Sequence, residues 1–206
     1  MAERVETTAR LETFSDGVFA IAATLLILDV NIRAGTGGQA LGHELLRIWP
    51  SYAAYAVSFL TIGIMWVNHH TTLGLMARVD RAFLFINIFL LMMIAFVPFP
   101  TRVVAQHFTG PGDTSAALLY GATFTVIAVF YNVFWRYAIA GRRLLRPDAD
   151  PSVVERISRS YRPGPYIYLG ATLVALASSQ ASDVLFGVIA LFYAAENVLV
   201  RQRGRA

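Results

Sequence analysis

The chain contains no cysteine. Disulfides, thiolate metal sites and cysteine nucleophiles are therefore excluded. It contains no lysine either: all 17 of its Lys+Arg residues are arginine, which removes Schiff-base chemistry and a phosphate-loop lysine. Charge of either sign is scarce, at 15% of 206 residues, where a soluble domain carries about a quarter. The GxSxG and HExxH patterns of hydrolases and metalloproteases do not occur, nor does the TVGYG carbonyl filter of the usual potassium channels. What fills the chain instead is apolar: 56% hydrophobic residues and a mean hydropathy of +0.55. These features predict an all-α, polytopic membrane protein that is not an enzyme and has no cofactor or resident metal. The net charge of +4 is no sign of a nucleic-acid partner, because the arginines flank apolar runs and read as topology signals.

Crossing a bilayer takes about 20 helical residues. Six segments qualify or nearly so, at about 14–32, 51–75, 82–99, 116–139, 166–179 and 184–200. No internal repeat is visible, so residues 1–206 read as one domain of six spans. Pro98 and Pro100 end the third span, and the connection 141–165 has room for a short amphipathic helix. Trp49, Tyr52, Trp135, Tyr137, Tyr161, Tyr166 and Tyr168 read as interfacial anchors. The first span has no small-residue cleavage site, so it is not a signal peptide.

Arginine placement gives the orientation. Fourteen arginines (4, 10, 78, 81, 136, 142, 143, 146, 156, 159, 162, 201, 203 and 205) fall on one side and three (33, 47 and 102) on the other. Both termini are then cytosolic in the cell membrane. The arginines of 142–162 face water and lipid headgroups, and an anionic-lipid site there is the alternative.

The first span, "FSDGVFAIAATLLILDV", carries a carboxylate near each end. With Ile21 set to zero on a helical wheel, Leu25 falls at about 40°, Leu28 at about −20°, Thr24 at about −60° and Val18 at about 60°. They make one stripe, and Ile21 to Leu28 rises roughly 10 Å. Asp16 falls at about −140°, off the stripe. It is expected to point into the protein and to need a partner at its own depth. Antiparallel packing of the first two spans brings Asn68 and His69 to about the depth of Asp16 and Arg10, which makes those two the candidates. Asp29 lies on the stripe's edge at the outer end, where it can attract cations. Isoleucine and leucine at helical spacing usually mean packing or lipid contact, so the stripe alone does not identify a pore. His69 and His70 point about 100° apart, which suits a hydrogen-bonded structural histidine better than a metal ligand pair.

Two stretches together resemble the transmembrane protein 175 family of endolysosomal potassium channels and prokaryotic relatives. One is Arg10 followed by Phe14-Ser15-Asp16; the other is "YAVSFLTIGIMWVNHHTTL", with Ser58-Phe59 and Trp66-x2-His69-His70. The resemblance implies four six-helix units around one axis, hence a homotetramer of a single-unit chain, with membrane lipid around it and potassium ions on the axis. It implies that first helices line the pore, with Ile21, Leu25 and Leu28 as the apolar constriction and Thr24 beside it influencing selectivity. It assigns Arg10, Ser15, Asp16 and His69 to a polar cluster bracing the cytosolic end. Ala22-Ala23 stand where many relatives carry a bulkier residue. The function implied is a potassium-preferring leak channel whose constriction gates and sieves. The rivals are a proton-conducting channel or proton-coupled transporter using Asp16, His69 and Glu196, a membrane enzyme built on His69, His70, Asp80 and serines, and a subunit without transport.

Overall fold

Apolar residues at helical spacing leave the backbone one way to satisfy its polar groups in lipid. The computed structural model is accordingly helical, and it describes residues 8–31, 39–108 and 110–203, with the side chains of 39, 40 and 197–203 outside the description. Arg33 and the 32–38 glycine stretch lie outside the described residues. In chain order the helices are α1 (Thr8–Leu25), α2 (Gln39–Arg47), α3 (Trp49–Gly74), α4 (Arg81–Phe96), α5 (Pro98–Gln106), α6 (Asp113–Ile139), α7 (Pro151–Tyr161), α8 (Gly164–Val174) and α9 (Ser179–Arg203). A 3-10 turn, Leu26–Asp29, extends α1.

Among the described residues, four helical stretches are long and apolar enough to cross a membrane: Thr8–Asp29, Trp49–Gly74, Arg81–Gln106 and Asp113–Arg142. They correspond to the first four expected spans. The fifth differs. α8 starts at Gly164, slightly before the expected span, but ends at Val174, so its 11 residues rise about 16 Å, half of a ~30 Å hydrocarbon core. The expected sixth span lies within α9.

The third span also differs from expectation, because Pro98 and Pro100 do not end it. Pro98 has no N–H to give the preceding turn, so α4 stops at Phe96. At the first position of a helix that missing donor is harmless, and α5 starts on the same proline. Val97 keeps a helical backbone between them, and Thr101 N–H donates to Val97 O at 3.2 Å.

The core forms around α6. Its Tyr120, Phe124, Ile127, Tyr131, Phe134, Trp135 and Ala138 recur every three or four residues on one face and are all buried. α4, α5, α7, α8 and α9 pack on this helix, and α1 packs on α3 and α4. Gly121 is where α8 comes closest: any Cβ there would overlap the Thr172 side chain. Trp135 is a core residue rather than an interfacial anchor. It is 1% exposed, and its indole N–H donates to Ser158 Oγ of α7 at 2.8 Å. Tyr137 likewise donates to Asp80 Oδ2 at 2.9 Å, whereas Trp49, Tyr52 and Tyr166 are exposed.

The expected amphipathic helix in the long connection is α7. Asp150 caps it, accepting from Ser152 N–H at 2.8 Å, with Pro151 in its first turn. That backbone bond holds the Asp150 carboxyl below the ordinary carboxylate range. The same connection is tied to the 75–81 turn: Ala77 N–H donates to Leu144 O, Arg146 N–H to Leu75 O, and Arg78 Nε to Arg143 O. Asp80, which caps α4 through Phe83 N–H, pairs with Arg143 at 3.3 Å.

Candidate functional site

α1 has two faces of different fate. Leu11, Ser15, Phe19, Ala22 and Leu26, spaced by three or four residues, are buried. On the other face Phe14, Ile21, Leu25 and Leu28 are exposed, Ile21 by 62% and Leu28 by 64%. None of the other described residues covers that seam. It is the stripe that helical spacing draws, with Val18 half-buried at its edge.

Thr24 lies exposed beside the seam. Its hydroxyl hydrogen is committed to the backbone behind it, shared between Ala20 O at 2.9 Å and Ile21 O at 3.0 Å. The oxygen lone pairs therefore remain as acceptors on the outer side.

At the far end, Asp29 is largely shielded and approaches Arg102 of α5, with Oδ1 3.8 Å from Nε. This is an ion pair too long to be a hydrogen bond. The expected cation-attracting carboxylate thus has a guanidinium beside it. Sequence reasoning missed Arg102 because it counted the residue only as a topology signal.

The near end departs further from expectation. Asp16 does not point into the protein: it is exposed on the flank of α1. Its partner is neither Asn68 nor His69 but Trp66, whose indole N–H donates to Oδ1 at 2.8 Å. Arg10 is exposed one helical turn and a half earlier. The buried cluster is Ser15, His69 and Asn87, each at most 1% exposed. Asn87 Nδ2 donates to Ser15 Oγ at 3.1 Å, which leaves Asn87 Oδ1 to accept from His69 Nε2 at 2.7 Å. The imidazole lies between Phe19 and Phe134. Asn87 went unread in the sequence, although a lone asparagine in "RAFLFINIFLLMMIAF" is itself a signal: an amide in so apolar a helix has to find buried partners.

A second buried cluster ties α3, α5 and α6. Thr101 donates to Val97 O, so Ser58 Oγ is free to donate to Thr101 at 2.8 Å and Tyr120 OH to Ser58 at 3.0 Å. Tyr131 OH donates to Met65 O at 2.6 Å. These clusters fix helix against helix and are closed on themselves. Asp16, His69 and Glu196 are not joined by hydrogen bonds among the described residues; Glu196 instead lines a cavity of about 320 Å³ with Asn68, Asn132 and Arg156. No group of three or more potential metal ligands occurs among the described residues.

Comparison with known proteins bears on this arrangement. Residues 10–98 match the family model described as the endosomal/lysosomal potassium channel TMEM175. A potassium channel of Chamaesiphon minutus is 42% identical over 189 residues, covering 91% of this chain and 93% of the relative. A potassium channel of Streptomyces collinus is 38% identical over 200 residues, covering 97% of each. Among solved structures, the crystal structure of a lysosomal potassium-selective channel TMEM175 homolog from Chamaesiphon minutus superposes with a TM-score of 0.81. It is 38% identical and covers 92% of this chain and 97% of that one.

Proposed function

The chain belongs to the TMEM175 family, and from that premise we propose that it is a potassium-preferring, leak-type cation channel of the cell membrane, with both termini cytosolic. Relatives called potassium channels match it over nearly its whole length. The single observation that carries the reading to particular residues is the uncovered seam of α1. One face of this apolar helix is packed and the opposite face is bare. Four copies of the chain, arranged as one six-helix unit each over residues 1–206, would turn those bare faces toward a common axis. The six membrane-embedded segments in this proposal are α1, α3, α4 with α5, α6, the short α8, and α9, with lipid outside and potassium ions on the axis.

Ile21, Leu25 and Leu28 then form stacked apolar rings. A narrow apolar ring blocks ions by emptying of water, and a slightly wider one admits an ion that has shed part of its shell. Potassium, with the lower charge density, sheds water at lower cost than sodium. Such a sieve is modest, since hydrocarbon returns little hydration energy. Thr24 adds to it: lone pairs facing the ion path return part of that energy. Asp29 stands at the outer mouth, tempered by Arg102. Ser15 and His69 brace the inner half of α1 through Asn87, and Asp16 does so through Trp66; Arg10 belongs to the same end. The proton-relay reading gains no support from the geometry, because the three groups it needs sit in separate contacts.

The test is Ile21→Ala in reconstituted vesicles. Conductance is expected to rise and the potassium-to-sodium permeability ratio to fall toward one. An unchanged ratio at unchanged conductance would remove Ile21 from the constriction.

A further inference from the structure

A polar side chain at membrane depth needs a partner, because acyl chains offer none. The cavity of about 320 Å³ that Glu196 lines is walled by α3, α6, α8 and α9, with α7 across one end. Asn132 of α6 stands in its wall. The Asn132 amide donates to Ala128 O at 3.1 Å and to Tyr161 O at 2.8 Å, so both N–H groups are used and Oδ1 is left as an acceptor. Among the described residues Asp183 Oδ1 is the one sealed side-chain nitrogen or oxygen without a hydrogen-bond partner. The unbonded Asn132 Oδ1 is therefore not sealed off.

Two opposite charges share these walls. Arg156 is exposed on α7 and Glu196 is half-buried on α9. Neither belongs to a salt bridge among the described residues. The carboxylate that feels Arg156, Asp150, is engaged as the cap of α7. The cavity is also graded in polarity. Asn68, Arg156 and Ser160 stand at its α7 end. Ile64 lies about 6 Å before Asn68 along α3, and Ile127 about 7.5 Å before Asn132 along α6; both helices run toward α7. A polar mouth over an apolar floor suits an amphiphile. A cation and a carboxylate at one mouth suit a headgroup that carries both signs. Glu196 repels a purely anionic headgroup, and a quaternary ammonium has no N–H to give to Glu196 or to Asn132 Oδ1.

We propose that this cavity binds a phospholipid of the phosphatidylethanolamine type. Its phosphate meets Arg156 and Ser160, its primary ammonium meets Glu196 and Asn132 Oδ1, and the start of one chain lies along Ile64 and Ile127. None of the lining residues belongs to α1. The site thus rests on the chain being embedded in a membrane and not on the assignment of the ion path, and its readout is binding rather than current.

The test uses the full-length protein in a mild detergent, titrated with lipids of identical chains and followed by native mass spectrometry, which counts bound lipids. The probes are phosphatidylethanolamine, phosphatidylcholine and phosphatidylglycerol. One phosphatidylethanolamine per chain is expected to bind at least about tenfold tighter than either of the others, the scale of a hydrogen bond to a charged group. Glu196→Gln should bring phosphatidylethanolamine down to the level of phosphatidylcholine, and Arg156→Gln should weaken phosphatidylethanolamine by about tenfold. Glycerophosphoethanolamine, the same headgroup without chains, should not displace the lipid at equal concentration. Equal affinity for phosphatidylethanolamine and phosphatidylcholine in the native protein would overturn the proposal. So would tighter binding of phosphatidylglycerol, which would make the arginines a plain anionic-lipid site, or displacement by the soluble headgroup. Arg156→Gln, on an exposed side chain, decides alone if Glu196→Gln does not fold: native affinity for phosphatidylethanolamine in that variant sinks the site.

Discussion

In the proposed channel Asp29 stands beside the ion path and acts through its field, which it shares with Arg102. At 3.8 Å, with the guanidinium 58% exposed, the pair contributes little to stability, about 1 kcal/mol at most. Its effect is on the local potential: the guanidinium cancels much of the attraction that Asp29 exerts on cations. Arg102→Gln should therefore raise single-channel potassium conductance, by roughly twofold at about 0.01 M salt, where the Debye length is about 30 Å. Near 1 M salt the Debye length is about 3 Å and the difference should vanish. In an Asp29→Asn background the substitution should lose most of its effect. Conductance recorded across a potassium series checks all three. At this scale the sequence was only partly legible. The types of the polar residues and their need for partners follow from their setting in apolar runs. Which neighbour answers the need does not: Trp66, Asn68 and His69 stand within one turn of α3, but Trp66 and Asn68 point about 160° apart and Asn68 and His69 about 100° apart. Only the rotation of α3 decides that Trp66 reaches Asp16 and His69 turns inward to Asn87.

Between whole helices, the decisive feature is how closely two backbones approach. α8 rises only about 16 Å, so it depends on contact with α6 more than a full span would. Gly121 supplies that contact against Thr172, whose hydroxyl is itself engaged with Tyr168 O at 2.7 Å and with Thr125. Gly121→Ala should force α8 away from α6. Overpacking of this kind costs about 1–3 kcal/mol, read as a lowered midpoint of thermal unfolding in detergent. Gly63→Ala, where a Cβ meets nothing within 4 Å, should leave the midpoint near its native value. The elements themselves were largely legible, because length and hydropathy are local properties. The fifth segment already reads as short, but the continuation of the third span through two prolines was not legible. It depends on where a proline falls relative to a helix's first turn, and Pro98 reads equally well as a stop or as a start.

Taken as a whole, a single molecule is an incomplete object in the proposed channel. Its core closes around α6, while α1 is packed on one side and bare on the other. That division was visible in the sequence as the period of Ile21, Leu25 and Leu28 against Phe19, Ala22 and Leu26, although a helix so apolar all round gave no way to tell a lipid-facing stripe from a pore-facing one. The absence of cysteine makes the distinction directly measurable, since a single introduced thiol is the only one present. The measurement is potassium current through Leu28→Cys and, separately, Leu26→Cys during application of a water-soluble, positively charged thiol reagent. The account predicts that current through Leu28→Cys falls as the reagent reacts, while Leu26→Cys, buried against the core, is unaffected. Full labelling of Leu28→Cys with no change in current would contradict it.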